Sequence, residues 1–296
     1  DPQSIFRHVV APAVRDGFDV DYFTILTMGA GVGRQPWKSG WSTFGVPNPE
    51  VDGLSAPELQ QLLTEQAEAS GARSLVVALS ERDMEVDEKL NDPVWVRWMG
   101  RARGDETNQR ILRRFRQIES LWNLTLTLHG GNVYDRVVLI SEDMYWLGDL
   151  PAAQFSGQHT VYARRHGGLC TESPRGPGAI DDRFFLMGGR AADAMLRPYT
   201  AFYHRRGRGL DEAANVEEFW AVLAVSQGLR LEVLPKGAVP YAVALHLHHS
   251  KWLEPKLCLR HLGTSSKPAD DCIDRSRVRE DSCEDYFGHI AADAIP

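Results

Sequence analysis

The chain has 296 residues, 33 Lys and Arg against 40 Asp and Glu, a formal net charge of -7, and 43% apolar and 25% charged side chains. These proportions are those of a globular protein and exclude disorder, collagen and coiled coil. The acidic balance, with only short Arg-rich pieces at Arg110 to Arg114 and Arg205 to Arg208, gives no general attraction to a polyphosphate backbone, so nucleic acid is not an expected partner.

Residues 4–16 place Ile5, Phe6, Val9, Val10 and Val14 at helical spacing, and Gly17 stops them. Residues 20–26 follow with the β-branched and aromatic content of a buried strand. From 28 to 57 the chain reads as a long flap loop rich in Gly, Pro and Trp. A helix opens at Ala56-Pro57-Glu58 and runs to about Ser70, and residues 74–79 read as a second buried strand. Residues 94–103 and 105–128 read as helices, the second with Ile111, Leu112, Phe115, Ile118, Leu121 and Trp122 on one stripe.

After Gly130-Gly131 comes Tyr134-Asp135-Arg136-Val137-Val138-Leu139-Ile140-Ser141-Glu142-Asp143, an apolar strand that ends on two acids. Residues 160–163 are strand-like, a Gly/Pro-rich loop surrounds Cys170, and Asp181-Asp182 opens an apolar strand running to Gly188-Gly189. Helices are expected over 190–203 and 216–227, and a last strand over 230–234. This alternation predicts an α/β fold with an open, mostly parallel central sheet and helices on both faces. Residues 1–255 form a single α/β domain on this reading, and 256–296 a C-terminal extension packed on it.

Three of the four cysteines, Cys258, Cys272 and Cys283, crowd into that polar extension, and none forms a Cys-x-x-Cys pair with another. A structural zinc site is therefore disfavoured, and disulfides pinning the tail are expected, which points to a secretory lumen. No stretch approaches the roughly 20 apolar residues of a membrane span.

In open α/β sheets the carboxyl ends of strands line the ligand crevice. Glu142-Asp143 stands at such an end, where one carboxylate suits a divalent cation and the other a sugar or ribose hydroxyl, with a solvated strand-end turn as the alternative. Asp181-Asp182 suits an acceptor hydroxyl or general-base work, with a turn at the start of the strand as the alternative. Glu217-Glu218 begins a helix, where the macrodipole favours acids whatever else they do. His246, His248 and His249 lie within four residues; on an extended segment His246 and His248 share a face, a spacing that suits a metal or a diphosphate, and Lys251 adds a charge for phosphate. Gly29-Ala-Gly31-Val-Gly33 follows a strand but lacks the spacing, the helix and the distant acid of a dinucleotide loop.

The set Tyr134-Asp135-Arg136-Val137-Val138 leading to Ser141-Glu142-Asp143, then Asp181-Asp182-Arg183-Phe184-Phe185, Glu217-Glu218-Phe219 and a final His-Lys cluster resembles nucleotide-sugar-dependent glycosyltransferases of the GT-A type, over roughly 105–255. The resemblance implies a Rossmann-like core, a UDP- or GDP-sugar donor, a glycan or glycoprotein acceptor, and a lumenal Golgi location as a type II membrane protein freed of its anchor, or secretion. It implies that Asp143 binds Mn²⁺ or Mg²⁺ with His246 or His248, that Glu142, Asp143 and Lys251 meet the donor diphosphate, and that Asp181, Asp182, Glu217 or Glu218 act on the acceptor or donor sugar. Ser141 stands where the family's Asp-x-Asp motif begins, which leaves strict metal dependence open. Trp37 and Trp41 are candidates for stacking on a sugar. A non-catalytic carbohydrate-binding relative and a metal-dependent hydrolase are the alternative readings.

Overall fold

The computed structural model describes residues 2–28, 54–80, 105–129, 134–141, 144–165, 180–204, 209–213, 215–234, 238–247, 256–260 and 272–273. The N-terminal helical stretch comprises α1 (Pro2–Ile5), a π-helical turn (Phe6–Val10) and α2 (Ala11–Arg15). Pro12 has no N–H to continue the ladder. The carbonyl of His8, four residues earlier, instead accepts from the Leu150 amide at 2.8 Å. His8 and Arg15 both reach the Asp149 carboxylate, at 2.9 and 2.6 Å, so the helix is fastened to the segment after β4.

Strand β1 (Asp21–Met28) pairs in parallel with β2 (Arg73–Ser80), joined through α3 (Ala56–Ala69), whose start is a reciprocal Ser55–Glu58 capping box. Helix α4 (Asp105–Leu128) leads to β3 (Arg136–Ile140) and the short β4 (Met144–Trp146). Then come β5 (Thr160–Arg165), β6 (Ile180–Gly188), α5 (Gly189–Met195), α6 (Pro198–Tyr203), α7 (Val216–Ser226), β7 (Arg230–Leu234), β8 (Tyr241–Leu247), β9 (Lys256–Arg260) and β10 (Cys272–Ile273). The helix expected over 190–203 is divided because Pro198 starts a new one. The expected helix over 94–103 lies outside the described residues.

Among the described residues the strands form three sheets: β1-β2, β3-β6-β5-β7 and β4-β8-β9-β10. The α/β class holds, but the expectation of a mostly parallel sheet does not. In the sheet containing β3, only β5 and β7 are parallel; β6 runs against both β3 and β5. A parallel return from β5 to β6 would need a crossover, usually helical. The link over 166–179 has a Gly/Pro-rich sequence without helical periodicity, and β6 returns antiparallel. Consequently β3, β5 and β7 point one way and the reversed β6 starts where they end.

Alternation along these strands sorts two cores. Val161, Ala163, Phe185 and Met187 face α4 to α7, where Phe115 stacks on Phe219 at 5.2 Å and meets Trp220 edge-on at 5.4 Å. Tyr162, Phe184 and Leu186 face Trp146 of β4, Tyr241 of β8 and Val9 of the N-terminal helix. The second face is therefore covered largely by the sheet of β4, β8, β9 and β10, not by the helices expected on both faces. Its strands β4 and β8 carry Trp146 and Tyr241, whose large rings fill that layer.

Candidate functional site

The end of β3, the end of β5, the start of β6 and the start of β8 converge at one edge. Ser141, just past β3, donates its amide to the Arg183 carbonyl at 2.9 Å. Across β5, Ala163 pairs with Phe185 and Arg165 with Ile180, so Asp181 to Phe184 bulge out opposite Arg164. Bulges re-aim side chains, and this one sends two adjacent acids to different faces.

Asp181 is fully buried. Its Oδ2 accepts from the Tyr241 phenol at 2.8 Å, and its Oδ1 accepts from the Arg183 amide at 3.2 Å and from the Arg183 guanidinium at 3.4 Å. Burial first, and the Asp181 charge next, push the Tyr241 phenol far above its ordinary value of 10.0, so the proton stays on tyrosine. Asp182 faces α4. Arg114 donates to its Oδ2 at 2.8 Å and to its carbonyl at 2.7 Å. The Asp182 side chain is 15% exposed, and its Oδ1 lies 3.9 Å from Arg183, beyond hydrogen-bond reach.

Helix α7 packs on β6 and β7. Its Asn215 cap accepts from the Glu218 amide at 2.8 Å, and Gly228, at φ 70°, turns its end into β7. Helix α7 carries Glu217 and Glu218 in its first turn and delivers the chain to the start of β7. The Trp220 ring lies 5.1 Å from Phe185, which places the middle of this helix beside the middle of β6.

The structure thus brings Asp181 and Asp182 to the end of β3, beside Ser141, and places Glu217 and Glu218 in the first turn of α7. Glu142, Asp143, Lys251, His248, Trp37 and Trp41 lie outside the described residues, and His246 is described only as a backbone position in β8. Among the described residues no group of three or more His, Cys, Asp or Glu is placed to hold a metal ion. No described helix is long and apolar enough to cross a membrane.

Arg114, Arg164 and Tyr241 escaped sequence reading. Arg114 lies among four arginines within seven residues of an amphipathic helix, Arg110, Arg113, Arg114 and Arg116, where charge reads as a solvated face. Arg164 did carry a signal, a charge directly following the apolar run Val161-Tyr162-Ala163. Tyr241 carried none, because nothing local announces that β8 crosses to β6.

Comparison of the chain with family models and with curated proteins finds no match.

Proposed function

We propose that this protein is a nucleotide-sugar-dependent glycosyltransferase of the GT-A type, moving a sugar from a nucleoside-diphosphate donor to a hydroxyl of a glycan or glycoprotein. The observation that carries the reading is the shared edge: the start of β6, with Asp181 and Asp182, lies against the end of the strand that leads into Glu142-Asp143. Ligands of α/β sheets bind at such an edge. Asp182 is the acid suited to meet a hydroxyl, since one of its oxygens has no hydrogen bond among the described residues while Asp181 is buried and occupied. Glu217 and Glu218 are the remaining candidates for the general base.

Asp143, His246 and His248 would hold Mn²⁺ or Mg²⁺ on this reading, and Glu142 and Lys251 would share the diphosphate. A bound cation supplies neutralisation of charge on the departing diphosphate. A Golgi-lumenal or secreted location, with disulfides pinning the tail, accompanies the proposal.

The test is a thermal-shift panel of UDP-, GDP- and CMP-sugars with and without Mn²⁺. A ligand at about 100 times its Kd should stabilise the fold by roughly 2.7 kcal/mol. A Mn²⁺-dependent rise with one nucleotide, lost in Asp143→Ala, is expected. Ser141, at the first position of the acidic motif, favours a second reading, a non-catalytic relative of the same fold, and no shift with any donor would select it. Release of free sugar without an acceptor would instead identify a hydrolase.

A further inference from the structure

A buried guanidinium ordinarily faces a carboxylate, because an unopposed charge in the interior is costly. Arg164 is only 7% exposed, and among the described residues no carboxylate lies within ion-pair distance of it. Among the described residues it meets Tyr241, with a hydrogen bond of 3.1 Å to the carbonyl and the ring face 4.2 Å from its central carbon, close enough for its charge to act on the phenol.

The neighbouring acids are engaged elsewhere. Asp181 is held by Tyr241 and Arg183, and Asp182 by Arg114. Tyr241 is no counter-charge either, since its phenol is protonated and gives its hydrogen to Asp181. Among the described residues, three guanidinium groups, on Arg114, Arg164 and Arg183, stand near two carboxylates, and Arg164 has neither of these within ion-pair distance.

Its position suits a ligand. Arg164 sits at the carboxyl end of β5, opposite the bulge in β6. A ring face and a carbonyl hold the guanidinium in place, and among the described residues one hydrogen bond, to that carbonyl, is all that engages its fork of donors by distance and angle. A planar fork fixed beforehand is matched to a two-oxygen acid, and prior fixing lowers the cost of binding.

The geometry points to Arg164 as the anchor for an oxyanion of a small-molecule ligand, gripped at the carboxyl end of β5. Phosphate and sugar carboxylate present this same chemistry. The inference goes beyond the transferase reading, since it requires neither a metal nor a nucleotide.

Wild-type protein, Arg164→Gln and Arg164→Lys are compared by circular dichroism and unliganded Tm. Each is then titrated calorimetrically, without divalent metal and at fixed ionic strength, with inorganic pyrophosphate and separately with glucuronate. Wild-type protein should bind at least one of them, pyrophosphate marking a phosphate source and glucuronate a carboxylate source. Arg164→Gln should raise that Kd at least about tenfold, and Arg164→Lys, which keeps the charge and loses the fork, by a smaller factor. Failure of wild-type protein to bind either anion overturns the inference, as does unchanged affinity in a folded Arg164→Gln. Should Arg164→Gln not fold, unchanged affinity in Arg164→Lys overturns it. Binding lost through Arg164 without any Mn²⁺-dependent nucleotide shift would uphold this site while removing the transferase reading.

Discussion

The phenol of Tyr241, at the start of β8, donates a hydrogen bond of 2.8 Å to the buried carboxylate of Asp181, at the start of β6. This bond joins the two larger sheets at the edge where β3 and β5 end, and it gives Asp181 a structural duty.

Tyr241→Phe removes that donor and leaves the Asp181 oxygen buried without it. The expected cost is about 1–3 kcal/mol in urea unfolding. An unchanged midpoint would show that another donor replaces the phenol.

Alkaline titration reads the same bond. Tyr241, raised by burial and then by Asp181, and Tyr134, raised by burial and then by its hydrogen bond to Asp21, both sit well above the ordinary 10.0. A raised folded pKa gives stability that is complete below the unfolded value and is lost as pH climbs from there toward the folded one. Phenolate absorbance should therefore stay incomplete past the ordinary tyrosine range and jump on unfolding. Full ionisation of the native protein along a curve centred at the ordinary value would refute the buried assignment.

Asp182 is expected to separate activity from stability. Under the transferase reading, Asp182→Asn lowers turnover by about 10²- to 10⁴-fold, the range of general acid–base catalysis, with little change in the unfolding midpoint. Asp181→Asn should do the reverse and cost mainly stability. Equal turnover in wild-type protein and Asp182→Asn would shift the general-base role to Glu217 or Glu218.

Phe115 lies between Phe202, Phe219 and Trp220 and is 1% exposed. Phe115→Ala should cost about 3–5 kcal/mol, read from denaturant unfolding. Because α4 also carries Arg114, the same variant should loosen Asp182; intact donor binding alongside the lost stability would show the two to be independent.

Cys258 and Cys272 are register partners on the antiparallel strands β9 and β10. Such partners bring Cα atoms into the range a disulfide requires, about 4.4–6.8 Å. Non-reducing peptide mapping should recover a Cys258–Cys272 cross-link from protein made in an oxidising compartment. Free thiols at both positions would remove the expectation of a pinned tail.

Hydropathy and turn residues alone determined most of the local elements. The helical stripe Ile111, Leu112, Phe115, Ile118 and Trp122 became α4, and the apolar run from Val137 to Ile140 became most of β3, because both patterns match the period of the structure they form. Strand direction was another matter. No residue of β6 records that it runs antiparallel; that follows from its partners, and it is what brings Asp181 and Asp182 beside Ser141. The acids themselves were legible as acids. Which one is buried, and that Arg114 and Tyr241 meet them from other elements, depended on contacts 60 or more residues apart, and Arg164 reaches Tyr241 across 77. Local sequence encodes backbone period and propensity, whereas charge pairing at a sheet edge is decided by packing between distant segments, and only the tertiary structure contains it.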